Sequence, residues 1–262
     1  MSVFRKRMRI DRKTPEQIEK MRRAGAVVAN TLAALREAAV VGVSTADLDA
    51  IAERSIRDAG AVPSFKGYHG FPASICASVN DVIVHGIPDD TPLRDGDIIS
   101  IDCGAILDGW HGDSAITVPI GTVRPEALEL SRVCEQSMWA GIEAAVAGGR
   151  LTDISHAVEK SIRSHRLPGG AEYGIVDDYG GHGIGTEMHQ DPHVLNYGPP
   201  GRGPRLEVGV CLAIEPMVTL GKPATYTLED EWTVKTVAGG VAAHWEHSIA
   251  ITEDGPVVLT LP

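Results

Sequence analysis

Most features that mark a membrane, secreted or nucleotide-binding chain are missing from these 262 residues. The longest apolar runs, such as residues 38–43, fall far short of the roughly 18 residues a membrane helix needs. That excludes an integral helical membrane protein. Cysteine is scarce: Cys76, Cys103, Cys134 and Cys211 stand far apart, with no CxxC pair. This excludes a disulfide framework and a thiolate zinc knuckle, and reads as reduced thiols in a cytoplasmic protein. No Gly-Lys-Ser/Thr occurs anywhere, so there is no phosphate loop. No apolar stretch follows the N-terminal charges, so they are not read as a secretory leader. Basic charge is also short, 24 Lys and Arg against 35 Asp and Glu, and six of the basic residues lie within residues 1–13. The remainder carries 18 basic and 34 acidic residues. A body this acidic does not offer DNA a broad binding face. The basic tip can still approach RNA or a ribosome, and on its own it is as readily a solvated terminus.

What is present is the composition of a soluble enzyme. With 43% hydrophobic and 23% charged residues, the chain is neither disordered nor fibrous. Thr14-Pro15-Glu16-Gln17 opens a first helix, with Thr14 as N-cap and apolar residues at helical spacing after it. Thr45 is the expected cap of a second helix that stops at Gly60. Two more helices fit residues 125–147 and 153–166, the latter capped by Thr152. Strand-like segments follow each pair, at 74–79, 97–107 and 110–118, then at 210–219, 232–237, 246–252 and 256–260. Two helices then strands, repeated once, suggests a duplication. One pair of segments supports it. Leu93-Arg-Asp-Gly96-Asp-Ile-Ile-Ser-Ile101-Asp102 and Leu206-Glu-Val-Gly209-Val-Cys-Leu-Ala-Ile214-Glu215 share Leu-x-x-Gly-x-x-x-x-Ile-acid at a constant offset of 113 residues. Two αβ halves related by a pseudo-twofold are expected. Residues 1–13 form a basic N-terminal segment and 14–262 one domain, since no linker separates the halves.

The carboxylates carry the chemistry. Asp108-Gly109 marks a two-residue hairpin. With the turn there, Asp102 lies opposite Ala115 and Asp113 opposite Gly104, so both aspartates share one face as diagonal neighbours. An Asp-Gly-x-x-x-Asp hairpin alone is as readily a solvated turn. Glu215 and Glu246, however, also sit in apolar strand contexts, where an unpartnered carboxylate is costly. His182 lies within Gly180-Gly181-His182-Gly183-Ile184-Gly185, whose glycines clear the space around one imidazole. Four carboxylates and one imidazole form a hard, oxygen-rich set that suits two divalent ions bridged by carboxylates: Mn, Fe(II), Co or Zn. His85 and His189 stand near these segments. Each can donate to a substrate or to a tetrahedral oxyanion, or be a surface histidine.

Taken together these residues resemble the type I methionine aminopeptidases of the pita-bread metallopeptidase fold, in their short bacterial form; the resemblance implies an α+β fold, with a central curved antiparallel sheet and outer helices, and one catalytic domain over residues 14–262. The matching stretches are Gly67-Tyr-His-Gly-Phe-Pro, Ser78-Val-Asn-Asp-Val-Ile-Val-His-Gly-Ile-Pro88, Asp97-Ile-Ile-Ser-Ile-Asp-Cys-Gly104, Gly109-Trp-His-Gly-Asp113, Gly181-His-Gly-Ile-Gly185, Ile214-Glu-Pro-Met217, Trp232-Thr-Val-Lys-Thr236 and Glu246-His247. They run through nearly the whole chain in the family's order. The resemblance implies removal of the initiator methionine from peptides and nascent proteins with a small second residue, by a metal-bound hydroxide in a dinuclear site. It implies that Asp102, Asp113, His182, Glu215 and Glu246 hold the metals, with Asp113 and Glu246 bridging. Glu215 is then also the general base. His189 stabilises the tetrahedral oxygen, and His85 contacts the peptide beyond its first residue and assists the leaving amine. The methionine pocket is lined by Phe65, Tyr68, Phe71, Cys76, Met188 and Trp232. Better-known members carry Cys at position 65, Tyr at 71 and Phe at 188; Met188 keeps that wall apolar and adaptable. The resemblance also implies a cytoplasmic monomer, and residues 5–13 gain interest as a transient contact to the ribosome.

Two rivals share the fold. Prolidases and X-Pro aminopeptidases use the same ligands but usually carry a further N-terminal domain, whereas the catalytic pattern here begins by residue 14. Metal-free binding proteins on this fold lose ligands, whereas all five ligand positions here hold ligating residues.

Overall fold

The structure, a computed structural model, describes residues 10–262. Its first half runs α1 (Pro15–Ala38), α2 (Thr45–Asp58), β1 (Val62–Pro63), β2 (Ile75–Val79), β3 (Val82–Val84), β4 (Ile98–Leu107) and β5 (Trp110–Pro119). The second runs α3 (Pro125–Ala144), α4 (Leu151–Arg163), β6 (Gly174–Ile175), β7 (Gly181–Gly183), β8 (Gln190–Val194), β9 (Cys211–Ile214), β10 (Met217–Thr219), β11 (Thr225–Thr227), β12 (Val234–Thr236), β13 (Ala242–His244), β14 (Glu246–Thr252) and β15 (Gly255–Val258).

Local chemistry sets the helix starts. Thr14 and Gln17 close a reciprocal capping box on α1. The cap of α2 is Ser44 rather than Thr45, because Ser44 and Asp47 have the three-residue spacing that a capping box needs. Thr45 instead exchanges two hydrogen bonds with the backbone of Asp89. Helix α4 starts at Leu151, not 153: Asp153 caps the Arg150 N–H, and Thr152 exchanges two hydrogen bonds with the backbone of Arg202. Helix α3 ends at Ala144, short of 147. The expected strand 210–219 is broken between β9 and β10 at Glu215-Pro216, since proline has no N–H for the ladder. Among the described residues there are also seven short strands not expected from the sequence, at Val62–Pro63, Val82–Val84, Gly174–Ile175, Gly181–Gly183, Gln190–Val194, Thr225–Thr227 and Ala242–His244. Most are two or three residues long and carry too little periodicity to be read.

The main sheet is antiparallel, in the order β1-β4-β5-β14-β9-β7-β8, with β2 also on β4 and β15 on β14. Central strands β5 and β14 pair with each other, and β4 and β9 flank them, so the halves are related about the β5–β14 seam. Equivalent backbone bonds repeat in both. Gly42 N–H donates to Leu93 O and Leu93 N–H to Val43 O; Gly148 N–H donates to Leu206 O and Leu206 N–H to Gly149 O. Gly96 N–H donates to Ile120 O, and Gly209 N–H to Ile251 O, both at 2.9 Å. The duplication read from one ten-residue match therefore extends through both halves.

Alternation along the strands divides the sheet's two faces. Ile99, Ile101, Cys103, Leu212 and Ile214 point into the main core with Val28, Leu32 and Leu35 of α1 and Val133 and Met138 of α3. The residues between them face the other way, toward the site. The basic tip is also anchored. Arg12 bridges to Val210 and pairs with Glu207, and Lys13 is buried with its Nζ 3.0 Å from Gln190 Oε1. Residues 5–9 lie outside the described residues. Among the described residues no helix is long and apolar enough to cross a membrane.

Candidate active site

The hairpin places the first two acids. Asp108 and Gly109 have φ of 52° and 78°, the left-handed pair of a tight β-turn. Leu107 pairs with Trp110, Asp102 with Ala115 and Gly104 with Asp113, as the sequence indicates. Glu246 of β14 pairs with the same Ala115 from the other side, and His247 with Ile214 puts Glu215 opposite Glu246. His182 pairs with Ala213, two residues before Glu215. Directly opposed residues share a face, so register alone turns Asp102, Asp113, His182, Glu215 and Glu246 to one side of the sheet. Small residues make room beneath them. A Cβ on Gly183 would lie 2.3 Å from Asp191 O, and one on Gly181 2.2 Å from Ala213 O, so the backbone beside His182 approaches its neighbours as only glycine allows.

The side chains converge. His182 Nε2 lies 3.4 Å from Glu215 Oε1 and 3.7 Å from Asp113 Oδ2. One ligand atom each from Asp113, His182 and Glu246 lie within 4.8 Å of one another, and so do ligand atoms of Glu215, His244 and Glu246. Asp102 lines the same cavity but belongs to neither group. Asp102 Oδ1, Asp113 Oδ1, Glu246 Oε1 and His244 Nε2 are buried without a hydrogen-bond partner. Burial pushes the Asp102 carboxyl up to about 7 and that of Glu215 to about 8. Burial, and then the neighbouring carboxylates, drive Asp113 and Glu246 well above the usual range. Burial holds the His182 imidazole neutral, down to about 3. Its Nδ1–H donates to Gly183 O at 2.9 Å, so its bare Nε2 lone pair faces two carboxylates. Lone pairs and anions pointed at one another are tolerated only with protons or a metal cation between them. The oxygen-rich donor set fits divalent metal ions.

Beside the carboxylates lies a cavity of about 270 Å³. Phe65, Tyr68, Phe71, Cys76 and Trp232 line it, together with His85 and His189. Cys76 pairs with Asp102 across β2 and β4, which joins the apolar wall to the acids. Phe71 and Trp232 meet edge to face at 5.1 Å. Met188 is not a lining residue. It packs beside Phe65 on the same face of the sheet as Asp113, where its Cε and Phe65 Cε1 close over Gly104. Tyr68 Oη lies 2.9 Å from His189 Nδ1, and the His189 ring stands 4.3 Å from that of His182. His85 has a left-handed φ of 56° and its ring edges toward Trp232 and Tyr179. Burial keeps His85 neutral, near 4. Sequence reasoning missed Tyr179, Met217 and His244, which also reach this region. His244 carried a readable signal: it stands two residues before Glu246, at strand period.

Comparison with known proteins places this geometry. Residues 19–253 match the model of metallopeptidase family M24. The chain is 54% identical over 262 residues to methionine aminopeptidase 1 of Mycobacterium tuberculosis, covering all of this chain and 98% of that protein. Among solved structures it is similar to methionine aminopeptidase from Rickettsia prowazekii, with TM-score 0.93, 38% identity, and coverage of 97% of this chain and 100% of that one. A prolidase from Pyrococcus furiosus shares the fold at TM-score 0.74 and 21% identity, and the match covers 96% of this chain but 65% of the prolidase chain.

Proposed function

This chain belongs to metallopeptidase family M24, and we propose that it removes methionine from the N-terminus of peptides and proteins as a methionine aminopeptidase of the pita-bread fold. The whole-length 54% identity to methionine aminopeptidase 1 of M. tuberculosis carries this reading. The site supports it: one cavity is lined on one side by aromatic side chains and on the other by the carboxylate cluster with its unpartnered buried oxygens. Residues 14–262 act as one catalytic domain.

Asp102, Asp113, His182, Glu215 and Glu246 would hold two divalent ions (Mn, Fe(II), Co or Zn). When bound, such ions polarise the scissile carbonyl and acidify water. The remaining chemistry belongs to side chains. Glu215 accepts the proton of the attacking water at a carboxylate oxygen and passes it to the leaving amine. With Nδ1 accepting from the Tyr68 hydroxyl, His189 carries its ring proton on Nε2 and donates it to the developing tetrahedral oxygen. Neutral His85 holds the peptide beyond its first residue and assists departure of the amine. Phe65, Tyr68, Phe71, Cys76 and Trp232 enclose the methionine side chain, and Met188 packs beside Phe65 over Gly104. A small second residue fits beside this wall.

Substrates are nascent chains in the cytoplasm, and the enzyme works as a monomer. Residues 5–13 make a transient ribosomal contact. Burial of Lys13 and pairing of Arg12 leave that contact to residues 5–9. Deleting those residues weakens ribosome co-sedimentation at low salt, and unchanged sedimentation refutes the contact. The activity itself is tested with metal-free protein reloaded with Mn, Co, Fe(II) or Zn and offered Met-Ala-Ser, Leu-Ala-Ser and Ala-Pro-Ser. Metal-dependent release of methionine alone is expected. Cleavage of Ala-Pro-Ser moves the enzyme to the prolidase branch, and no cleavage with any metal revives a binding-protein reading.

A further inference from the structure

We propose that His244 is a sixth protein ligand to the metals, giving the site two imidazoles rather than one. This rests on the dinuclear reading above and deepens it. His244 is 1% exposed and its Nε2 has no hydrogen-bond partner. That atom lies 3.4 Å from Glu215 Oε2, and ligand atoms of Glu215, His244 and Glu246 fall within 4.8 Å of one another. A buried imidazole nitrogen left unpartnered between two carboxylates is costly. A cation shared by all three removes the cost for each.

The backbone around His244 is built to hold it there. Its N–H donates to Ser100 Oγ and Thr117 Oγ1 at 3.2 and 3.1 Å, and its carbonyl accepts from Thr117 Oγ1 at 2.8 Å. Strand β13 is thereby fixed to β4 and β5, the strands that carry Asp102 and Asp113. The duplication assigns the same position. Gly104 pairs with Asp113 in the first half; its equivalent at the 113-residue offset is Met217, which pairs with His244. His244 therefore occupies the place in the second half that Asp113 occupies in the first. A second nitrogen donor also shifts the site's preference from Mn toward Co and Zn.

The test uses the full chain loaded with Co(II). Proton NMR of a cobalt site shows one strongly shifted, solvent-exchangeable N–H signal for each coordinated imidazole. Two such signals are expected, from His182 and His244, and His244→Gln loses one. Calorimetric titration of His244→Gln should show the weaker Co(II) step reduced at least about tenfold, because loss of outer-shell partners alone costs about 10–100-fold. A single shifted signal in the unaltered protein overturns the proposal and leaves His244 a neighbour of Glu215 only. No shifted signal at all refutes the metal-site reading itself. The count in the unaltered protein decides the matter even if the variant does not fold.

Discussion

Removing metal should make stability fall steeply with pH between 7 and 8, and restoring it should abolish the slope. The perturbation is chelation. In the metal-free protein, burial raises Glu215 to about 8 and holds Asp113 and Glu246 well above the usual range. Their unfolded values lie near 4. A carboxyl whose folded value is raised binds its proton more tightly in the native state. The unfolded state has already released that proton, so stability falls as pH rises toward the folded value. Below about pH 6.5 the trend is masked. His182 is held to about 3 and His85, His111 and His247 to about 4, and groups with depressed folded values lose stability as pH falls. Above pH 7 those histidines are neutral in both states and only the carboxyls contribute. Each one still protonated in the native state costs about 1.4 kcal/mol per pH unit. Glu215 at about 8 and Asp102 at about 7 together give about 1.4 kcal/mol across the window, and Asp113 and Glu246 add in the same direction. For a chain of this size that lowers Tm by at least about 3–6 °C. The assay is thermal unfolding at pH 7.0, 7.5 and 8.0 in a chelator, and again with Mn(II). With metal bound the carboxylates are ionised in both states, and Tm should not fall across the window. A chelated protein whose Tm is flat across the window, or one that Mn(II) raises equally at every pH, refutes the reasoning.

Other outcomes follow from the same geometry. Glu246→Gln replaces a buried anion opposite Glu215 with a neutral amide; metal content measured by mass spectrometry should fall and turnover should disappear, and full occupancy would refute its ligand role. His189→Ala should lower kcat by about 10²–10³-fold, as for loss of one oxyanion donor, with metal content unchanged. Metal loss in that variant would move His189 into the ligand set. Trp232→Ala removes the edge-to-face partner of Phe71. Burying a methionine side chain is worth about 1.5–3 kcal/mol, so kcat/KM on Met-Ala-Ser should drop by about 10–100-fold, mostly through KM. An unchanged KM would place the methionine side chain elsewhere.

Much of this site was legible because strand pairing is arithmetic. Asp108-Gly109 sets the turn, the turn sets the register, and the register puts Asp102 and Asp113 on one face. Glu215 and Glu246 were visible as carboxylates inside apolar strands, and His182 as an imidazole stripped of neighbours by glycine. Other features depend on contacts no local pattern encodes. Lys13 counts as basic tip in a charge tally, but the backbone bond from its N–H to Gly209 O carries its side chain inward to Gln190. Met188 reads as pocket wall from its place in a motif. It sits beside Phe65 on the site's face of the sheet, in the recess that Gly104 leaves. His244 sits on a three-residue strand, and only its two-residue spacing from Glu246, not a period of that strand, could have marked it.

The duplication explains the site's position better than its chemistry. Two copies of a segment that carries a carboxylate, on β4 at Asp102 and just past β9 at Glu215, packed about the β5–β14 seam, bring both acids to one face. Beyond that pair the halves diverge. By register, Asp113 corresponds to His244, Ala115 to Glu246 and Ser78 to His182. The first half thus offers two carboxylates, a methyl and a hydroxyl where the second offers two carboxylates and two imidazoles. Under the dinuclear proposal, the cations held between such halves would have unequal surroundings. The inequality matters, because hydrolysis of an N-terminal residue asks different things of the two sides: one must receive a free amine, the other must help a water attack. A strictly symmetric site would favour neither. Ala115 shows how the divergence is accommodated. It lies opposite both Asp102 and Glu246, and only a side chain that small leaves room for carboxylates from both neighbouring strands. A second glutamate there would restore symmetry and occupy the space the cations need.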